Sequence, residues 1–577
     1  MPAKSESETH SHDDGLHRFT DASFGRRLSK VIRPFQEMEL AWWRLRGLKL
    51  RVHFDAFRFG PVRYMKAVGW RLRGLRLRSR NTFAELKGKS PHAYALWIAT
   101  IEPQARKSVL SRAGGSADIV TLIDCTETSE HFPDTLRSLG PDPGRILVVG
   151  GEKDDAFEGV CHPREIASLI DLDRTWLCIV RCGDGISADA LTLYAKAATR
   201  ARSLVLYADD DLIGPQRTRQ FPHFKPAWNP ELFVHHDFLT HSSLVKTSAE
   251  ALREVELEGW ASSVVQSAIS NREAPIHLPM VLHHRRSRPS PILPAGSQAA
   301  VVGDFPSITA IVPTRNGLEL LRCCIEGINR TDYPNMHVVI VDNGSDDAPT
   351  LAYLERLELE GVRVLRRPGP FNYSALNNAA VTESPTDFLC FLNNDVEMLE
   401  PSWLASMVVH AMRSDIGAVG ARLLYPDGTV QHAGVFTGIG GGAGHAHRFQ
   451  KVDEPGYFSR ASLPQRVSAV TAACLVVSRE KFVAVGGFDE TRFPVAFNDV
   501  DLCLKLNARG WQSFYEPQAT LIHHESKSRG NDRARANRKR FAGELSALKV
   551  KWLTDRRRDP YHHPHLSHFC EQFVIAV

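Results

Sequence analysis

The chain has 577 residues, 43% of them hydrophobic and 24% charged, with a formal net charge of +5. These values exclude a mostly disordered or collagen-like chain and leave apolar material for two to four domains. No apolar run reaches the ~18 residues of a transmembrane helix, and the polar start MPAKSESETHSHDD has no signal-peptide core. The ten cysteines form no C-x-x-C pair, and several sit in apolar runs. Reduced, buried thiols in a cytoplasmic protein are expected.

Residues 1–30, rich in Ser, His, Asp and Glu, are predicted to be disordered. Residues 31–90 form a basic, aromatic-rich segment, predicted to be helical. Arginines such as Arg44, Arg71 and Arg80 interleave with Trp42, Trp43, Phe57 and Trp70, and Asp55 is the only acid from Arg44 to Arg80. A nonapeptide recurs there, WRLRGLKLR from Trp43 and WRLRGLRLR from Trp70; two copies are too few for a solenoid. Residues 91–295 alternate apolar strands (ADIVTLID, RILVVGG, TWLCIVR, SLVLYAD) with helical stretches. His283–Ser297, basic and rich in Pro and Ser, reads as a linker. Over residues 303–560 the alternation is clearer: SITAIVP, MHVVIVD and DFLCFLN are strands, GLELLRCCIEGI and APTLAYLERLELE helices. Strand–helix–strand order with such apolar strands predicts an α/β fold whose mainly parallel sheets are buried on both faces. Residues 561–577 are predicted to be an irregular tail.

Ligands of open parallel sheets bind at the carboxyl ends of the strands. Three polar turns fall there in the second half: Thr314-Arg315-Asn316-Gly317, Asn343-Gly344-Ser345-Asp346 behind Asp342, and Asn393-Asn394-Asp395. One such turn is ordinary turn chemistry; three on one edge point to a polar ligand. Asp499 and Asp501 open the amphipathic run DLCLKLNARG, where the helix dipole keeps carboxylates ionised. Helix capping is the alternative role for Asp499. His523-His524-Glu525 follow the strand-like FYEPQATLI, and neutral imidazole with carboxylate oxygens suits a divalent metal that also grips phosphates.

PTRNG, VDNGSDD, FNYSALNNAA, FLNNDV, AACLVVSREKFVAVGGFDE, FNDVDLCLKL and HHESKSRG occur in that order from Ser307 to Gly530. The ordered set resembles the family 2 glycosyltransferases, which have the GT-A fold. The resemblance implies a UDP- or dTDP-sugar donor and a divalent metal, Mg or Mn. It implies that Pro313, Arg315, Asn316, Asp342 and Asn377 line the donor site, Asp342 against the nucleobase. Asn393-Asn394-Asp395 stands for the family's Asp-x-Asp, with Asn393 and Asn394 beside the donor and Asp395 on the metal. Asn393 replaces the first Asp and removes one negative charge. His523 is implied as a second metal or pyrophosphate ligand and Arg529 as a pyrophosphate contact. Asp499 is implied as the general base, taking the proton of an acceptor hydroxyl that attacks the anomeric carbon opposite the leaving nucleotide, with inversion. Gly438–His447 is expected as a mobile loop over the site; it lacks a P-loop lysine.

The first half also resembles the family, through YADDDLIGPQRTRQFPHFKPAWNPELF. Aligning CIVRCGDGISADAL with FLNNDVEMLEPSWL sets Asp184 opposite Asp395 and Cys182 opposite Asn393. Asp209-Asp210-Asp211 then falls on a later strand and is expected as a solvated acidic turn. Ser262 stands at the base position, where a neutral hydroxyl cannot serve. This copy is expected to be catalytically silent.

The sequence thus reads as two tandem GT-A domains behind a basic helical segment. The expected function is an inverting, metal-dependent transferase that extends a glycan or lipid-linked glycan in cell-surface polysaccharide synthesis; a rhamnosyltransferase is one such case. A bifunctional enzyme and a non-catalytic nucleotide-sugar or glycan-binding protein are the alternatives. For residues 42–80 three readings stand: docking on the anionic cytoplasmic face of a membrane, nucleic-acid binding, and a helical pair packed on the body. No recognised motif supports a nucleic-acid partner.

Overall fold

The computed structural model describes residues 22–111, 115–141, 143–150, 158–269, 273–294, 305–524 and 537–577. Five helices precede the first strand: α1 (Ala22–Phe59), α2 (Pro61–Leu72), α3 (Arg76–Gly88), α4 (Ala93–Thr100) and α5 (Glu102–Leu110). The helical segment is as expected, but α1 starts inside the stretch read as disordered; residues 1–21 lie outside the described residues. The two nonapeptides fold differently. The first is continuous helix in α1, whereas the second breaks between α2 and α3 at Gly74, whose φ of +74° is left-handed backbone. Val52, Ala56, Ala67, Phe83 and Leu86 are buried in this segment. Asp55, the lone acid from Arg44 to Arg80, accepts hydrogen bonds from Ser90 (2.5 Å) and His92 (2.8 Å), so it is a packing residue.

Two sheets follow. The first comprises β1 (Asp118–Asp124), β2 (Arg145–Val149), β3 (Glu158–Val160), β4 (Thr175–Arg181), β5 (Gly185–Ile186), β6 (Val205–Ile213), β7 (Arg219–His223), β8 (Ser243–Val245) and β9 (Ile276–Arg285). The second begins with β10 (Ile308–Thr314), β11 (Met336–Asp342), β12 (Arg363–Arg366), β13 (Phe388–Leu392), β14 (Val396–Met398), β15 (Ile416–Leu424) and β16 (Val430–His432). After a hairpin of β17 (Val435–Thr437) and β18 (Ala443–His445), it continues with β19 (Gln465–Val467), β20 (Cys474–Ser478) and β21 (Gln512–His523).

The strand orders are β3-β2-β1-β4-β8-β6-β9-β5 and β12-β11-β10-β13-β20-β15-β21-β14. Strand for strand they are the same order, with the same directions. Thus β8 runs antiparallel to β4 and β6 while β6 and β9 are parallel, and β20 runs antiparallel to β13 and β15 while β15 and β21 are parallel. The chain is two copies of one mostly parallel α/β unit, the tandem GT-A arrangement. The second copy adds β17, β18 and β19. Its central strands β10 and β13 are buried along their whole length because apolar layers cover both faces, one around Leu376 and Phe391, the other around Leu404 and Phe514.

Three local expectations are corrected. First, β9 runs to Arg285, so the presumed linker starts inside the sheet; residues 295–304 lie outside the described residues. Second, Gly438–His447 is the ordered turn and second strand of the β17–β18 hairpin, with Gly440 N–H bonded to His568 O at 2.8 Å. Third, Asp209, Asp210 and Asp211 are fully buried in β6, not solvated. Each has its own close polar partners. Asp209 lies 2.8 Å from His277 and from His563, Asp210 pairs with buried Lys225 (2.7 Å) and Arg288 (2.5 Å), and Asp211 with Arg219 (2.6 Å) and His284 (2.7 Å). Burial is tolerable only with such complete pairing. The ligand-type atoms of Asp209, His277 and His563 all lie within 4.8 Å, but their 2.8 Å contacts are those of ion pairs and hydrogen bonds.

His563 belongs to the tail. Residues 561–577 hold little regular structure, as expected, yet they clamp the copies together: Leu566 shares an apolar cluster with Tyr94, Trp97, Phe224 and Val281, and Lys87 Nζ donates to Val577 O at 2.8 Å.

Candidate active site

The second copy carries a cleft of about 140 Å³ lined by Asn393, Gln431, His445, Arg448, Asp499 and His523, among others. Asp499 is the second residue of the helix Asn498–Ala508, which starts after Phe497, itself in left-handed backbone at φ +62°. Its Oδ1 accepts from Val500 N–H (2.8 Å) and its Oδ2 from Ala472 N–H (3.2 Å). Burial raises its pKa above the ordinary carboxylate value, against those N–H bonds. The next residue along, Ala473, accepts from Asn393 N–H at 3.0 Å. The stretch Thr471–Ala473, which leads into β20, therefore fixes the base candidate against the Asn-Asn-Asp turn.

Asp395 closes that turn, just before edge strand β14, and is buried. Its Oδ1 lies 3.1 Å from His523 Nε2 at the end of β21. His523 Nδ1 sits 2.6 Å from Gln431 Oε1, so Nδ1 carries the proton and donates it there, leaving the Nε2 lone pair toward Asn393 (3.2 Å) and Asp395. Asp395, through a carboxylate oxygen, and His523, through the imidazole nitrogen that faces it, are the residues that would hold a divalent cation here. A neutral imidazole and one carboxylate, with room for phosphate oxygens, is a donor set that Mg or Mn accepts. The residues present fit the implied metal.

The other predicted residues lie at neighbouring strand ends. Pro313 is buried on β10, and Thr314 stands opposite Asp342 of β11. Asp342 Oδ1 accepts from Ser345 N–H (3.0 Å) and Oγ (2.6 Å), with Arg366 at 3.4 Å on Oδ2. Asn316 ties the two turns together, its Nδ2 donating to Asp346 (2.7 Å) and its Oδ1 accepting from Asp346 N–H (2.9 Å). Arg315 is exposed, 4.0 Å from Asp346. Asn394 is buried and donates to Thr314 Oγ1 (3.0 Å), joining β13 to the first turn. Asn377 is fully buried, its amide on Tyr373 O of its own helix (2.8 Å). Arg529 lies outside the described residues. Asp501 is a packing group, held by Trp552 Nε1 and Lys551 Nζ, both at 2.7 Å.

Gln431, His445 and Arg448 were not singled out from the sequence. His445 and Arg448 flank the end of the glycine-rich run and reach the cleft through the added hairpin; Gln431 carries no sequence signal.

The same positions of the first copy are filled. Asp184 precedes β5 as Asp395 precedes β14, but Arg285 Nε lies 3.5 Å from it, a fixed guanidinium where the second copy offers a cation seat. At the end of β1, Asp124 accepts from the buried Trp260 Nε1 (3.0 Å) and lies 3.0 Å from His241. Burial pulls its pKa up, but His241 and these hydrogen bonds hold it down at about 2. The helix Trp260–Ile269 contains no acid. Counted from its start, Ala261 takes the place of Asp499, with Ser262 next.

The fold and this cleft are of a glycosyltransferase type, and the chain is similar to such enzymes. Residues 309–452 match the family described as Glycosyl transferase family 2. The chain is 35% identical over 530 residues to an uncharacterised protein, y4gI, of Sinorhizobium fredii, covering 84% of this chain and 57% of that one. It is 32% identical over 491 residues to the O-antigen biosynthesis protein RfbC of Myxococcus xanthus, covering 77% of this chain and 38% of that one. A third relative, 28% identical over 226 residues, is an N-acetylglucosaminyl-diphospho-decaprenol L-rhamnosyltransferase of Mycobacterium tuberculosis; 34% of this chain and 69% of that one are covered. The chain thus spans under two thirds of the length of the first two relatives. Within its second half, residues 309–452 carry the family 2 glycosyltransferase match.

Proposed function

We propose that the protein is an inverting, metal-dependent glycosyltransferase that moves a sugar from a UDP- or dTDP-sugar to a glycan or lipid-linked glycan of a cell-surface polysaccharide. The observation that carries this is the cleft in which Asp499 shares a wall with Asn393 and His523. Asp395 and His523 would hold Mg or Mn, which when bound offsets charge on the departing diphosphate. The turns at Arg315–Gly317 and Asp342–Asp346 would seat the nucleotide. Asp499 receives the acceptor proton; its raised pKa makes it a stronger base than an exposed aspartate, and activity fails as pH falls through that pKa. Names of the relatives support an O-antigen-type product, with rhamnose one candidate sugar. The first copy, with Arg285 on Asp184 and no acid in its helix, serves as a catalytically silent brace. Transfer or hydrolysis of UDP- and dTDP-sugars by purified protein with Mn tests the reading; no turnover of any sugar nucleotide would sink it.

Gln431 sets the tautomer of His523. Gln431→Met is expected to raise the Mn concentration for half-maximal activity by about 10–100-fold, with turnover at saturating Mn nearly kept. A Mn titration of both proteins checks this.

We also propose that α1–α3 dock on an anionic membrane face. Among the described residues no helix is long and apolar enough to cross a membrane. Trp42, Trp43, Phe54 and Phe59 are more than half exposed amid arginines, an interfacial pattern. Removing residues 1–80 is expected to abolish co-sedimentation with phosphatidylglycerol vesicles; equal sedimentation of both forms overturns it.

A further inference from the structure

Three cavities lie in series, joined by shared side chains. The Asp499 cleft shares Arg448 with a cleft of 2060 Å³, about twice the upper size of ordinary small-molecule pockets. That larger cleft is walled by α2 and α3 on one side and by the second copy and the tail on the other. It shares Trp70 in turn with a groove of 570 Å³ lined by residues of α1 and α2.

The chemistry changes along this series. The groove is apolar: Phe57, Val62 and Met65 line it, with 42%, 65% and 58% of their surface exposed. In the large cleft, Arg78, Lys451 and Arg538 have no carboxylate partner among the described residues; of the acids there, Glu85 is taken up by Arg63 and Lys89, Glu571 lies 3.7 Å from Arg448, and Glu454 leaves the cations in excess. Beside these cations Tyr425 and Phe449 stack at 5.3 Å, with Arg448 over Phe449 at 5.0 Å. Such flat faces suit the apolar side of a sugar ring. Last comes the carboxylate of Asp499.

We propose that this series is the acceptor path, and that the acceptor is an amphiphile: a glycan joined through phosphate or diphosphate to an alkyl chain. The alkyl chain lies in the groove and the phosphates on Arg78, Lys451 and Arg538, while the terminal sugar reaches past Arg448 to Asp499. A free glycan would leave the groove unused, and a bare membrane surface would leave the cleft unused. The inference rests on the family 2 reading and adds to it the class and route of the acceptor.

Calorimetric titration of the full chain with three probes tests it: dodecyl-diphospho-N-acetylglucosamine, its methyl-diphospho analogue and neutral dodecyl N-acetylglucosaminide, all below micellar concentration. The first is expected to bind at least about tenfold tighter than either other. The triple variant Arg78→Ala, Lys451→Ala, Arg538→Ala should lose the diphosphate advantage, and Met65→Glu the dodecyl advantage; all four side chains are exposed, so the fold is not at risk. Equal binding of the three probes, or variants that bind like wild type, overturns the path. Titration with UDP and with dTDP, each with Mn, separates the two readings. If either nucleotide binds and the diphosphate probe does not, the path alone falls; if none of the three binds, the family 2 reading falls as well.

Discussion

Asp499→Asn is expected to lower turnover by about 10²–10⁴-fold while changing donor affinity less than about threefold. The amide is isosteric and still accepts one of the two N–H bonds now shared by Val500 and Ala472. It cannot take a proton, so the loss falls on the chemical step and not on donor binding. The control is Ser262→Ala in the first copy. Among the described residues its Oγ accepts from Gln266 in its own helix (3.1 Å), and turnover is expected to stay within about twofold. Initial rates with saturating sugar nucleotide and Mn give both numbers. Full activity in Asp499→Asn would place the base elsewhere; a large loss in Ser262→Ala would revive the enzyme with two active domains.

The parts legible in sequence are those set by local pattern. Continuous apolar strands such as SITAIVP and DFLCFL ended in polar turns, and the sheet carries those turns on the carboxyl edge of β10, β11 and β13. The register that set Asp184 against Asp395 needed only two similar segments, and both residues do precede the same edge strand of their copies. Long-range compensation was not legible. An acidic triplet reads as solvated because three buried carboxylates are prohibitive alone. Asp209 is faced by His277 and by His563, the latter from the far end of the chain. The role of Gln431 was hidden for the same reason: a glutamine in a short strand has meaning only once His523 lies against it. The nonapeptide repeat shows the limit from the other side. Two nearly identical segments take different backbones, since the second must turn at Gly74 to let α3 pack on α1 and α2.

Acidification is expected to unfold the chain at about pH 4.5–5.5, before most carboxylates titrate. His223, His236, His283, His447 and His562 are all buried, and burial is the leading cause of their lowered pKa values. His236 falls to about 4 and His447 to about 3. The sign follows from linkage. Once unfolded, each takes up a proton near pH 6.5; folded, it does not. Below that pH the unfolded chain binds more protons, and stability drops by about 1.4 kcal/mol per pH unit for each such histidine. Five acting together match a typical domain stability of about 5–15 kcal/mol within one to two units. Asp499 and Asp559, whose pKa values burial raises, act in the opposite sense, but only as the pH nears the carboxylate range. Several of these rings sit at the seam between the copies. His223 stacks on Phe458 (3.6 Å) and lies near His236, facing Asp210, Lys225 and Arg288. His447 and His562 both lie against Phe573 of the tail, near Arg460. The clamp between the copies should therefore open first. Tryptophan fluorescence and circular dichroism from pH 7 to 4 follow the transition, and His223→Gln with His447→Gln should move its midpoint lower. A chain that stays folded at pH 4 would mean that these imidazoles reach solvent.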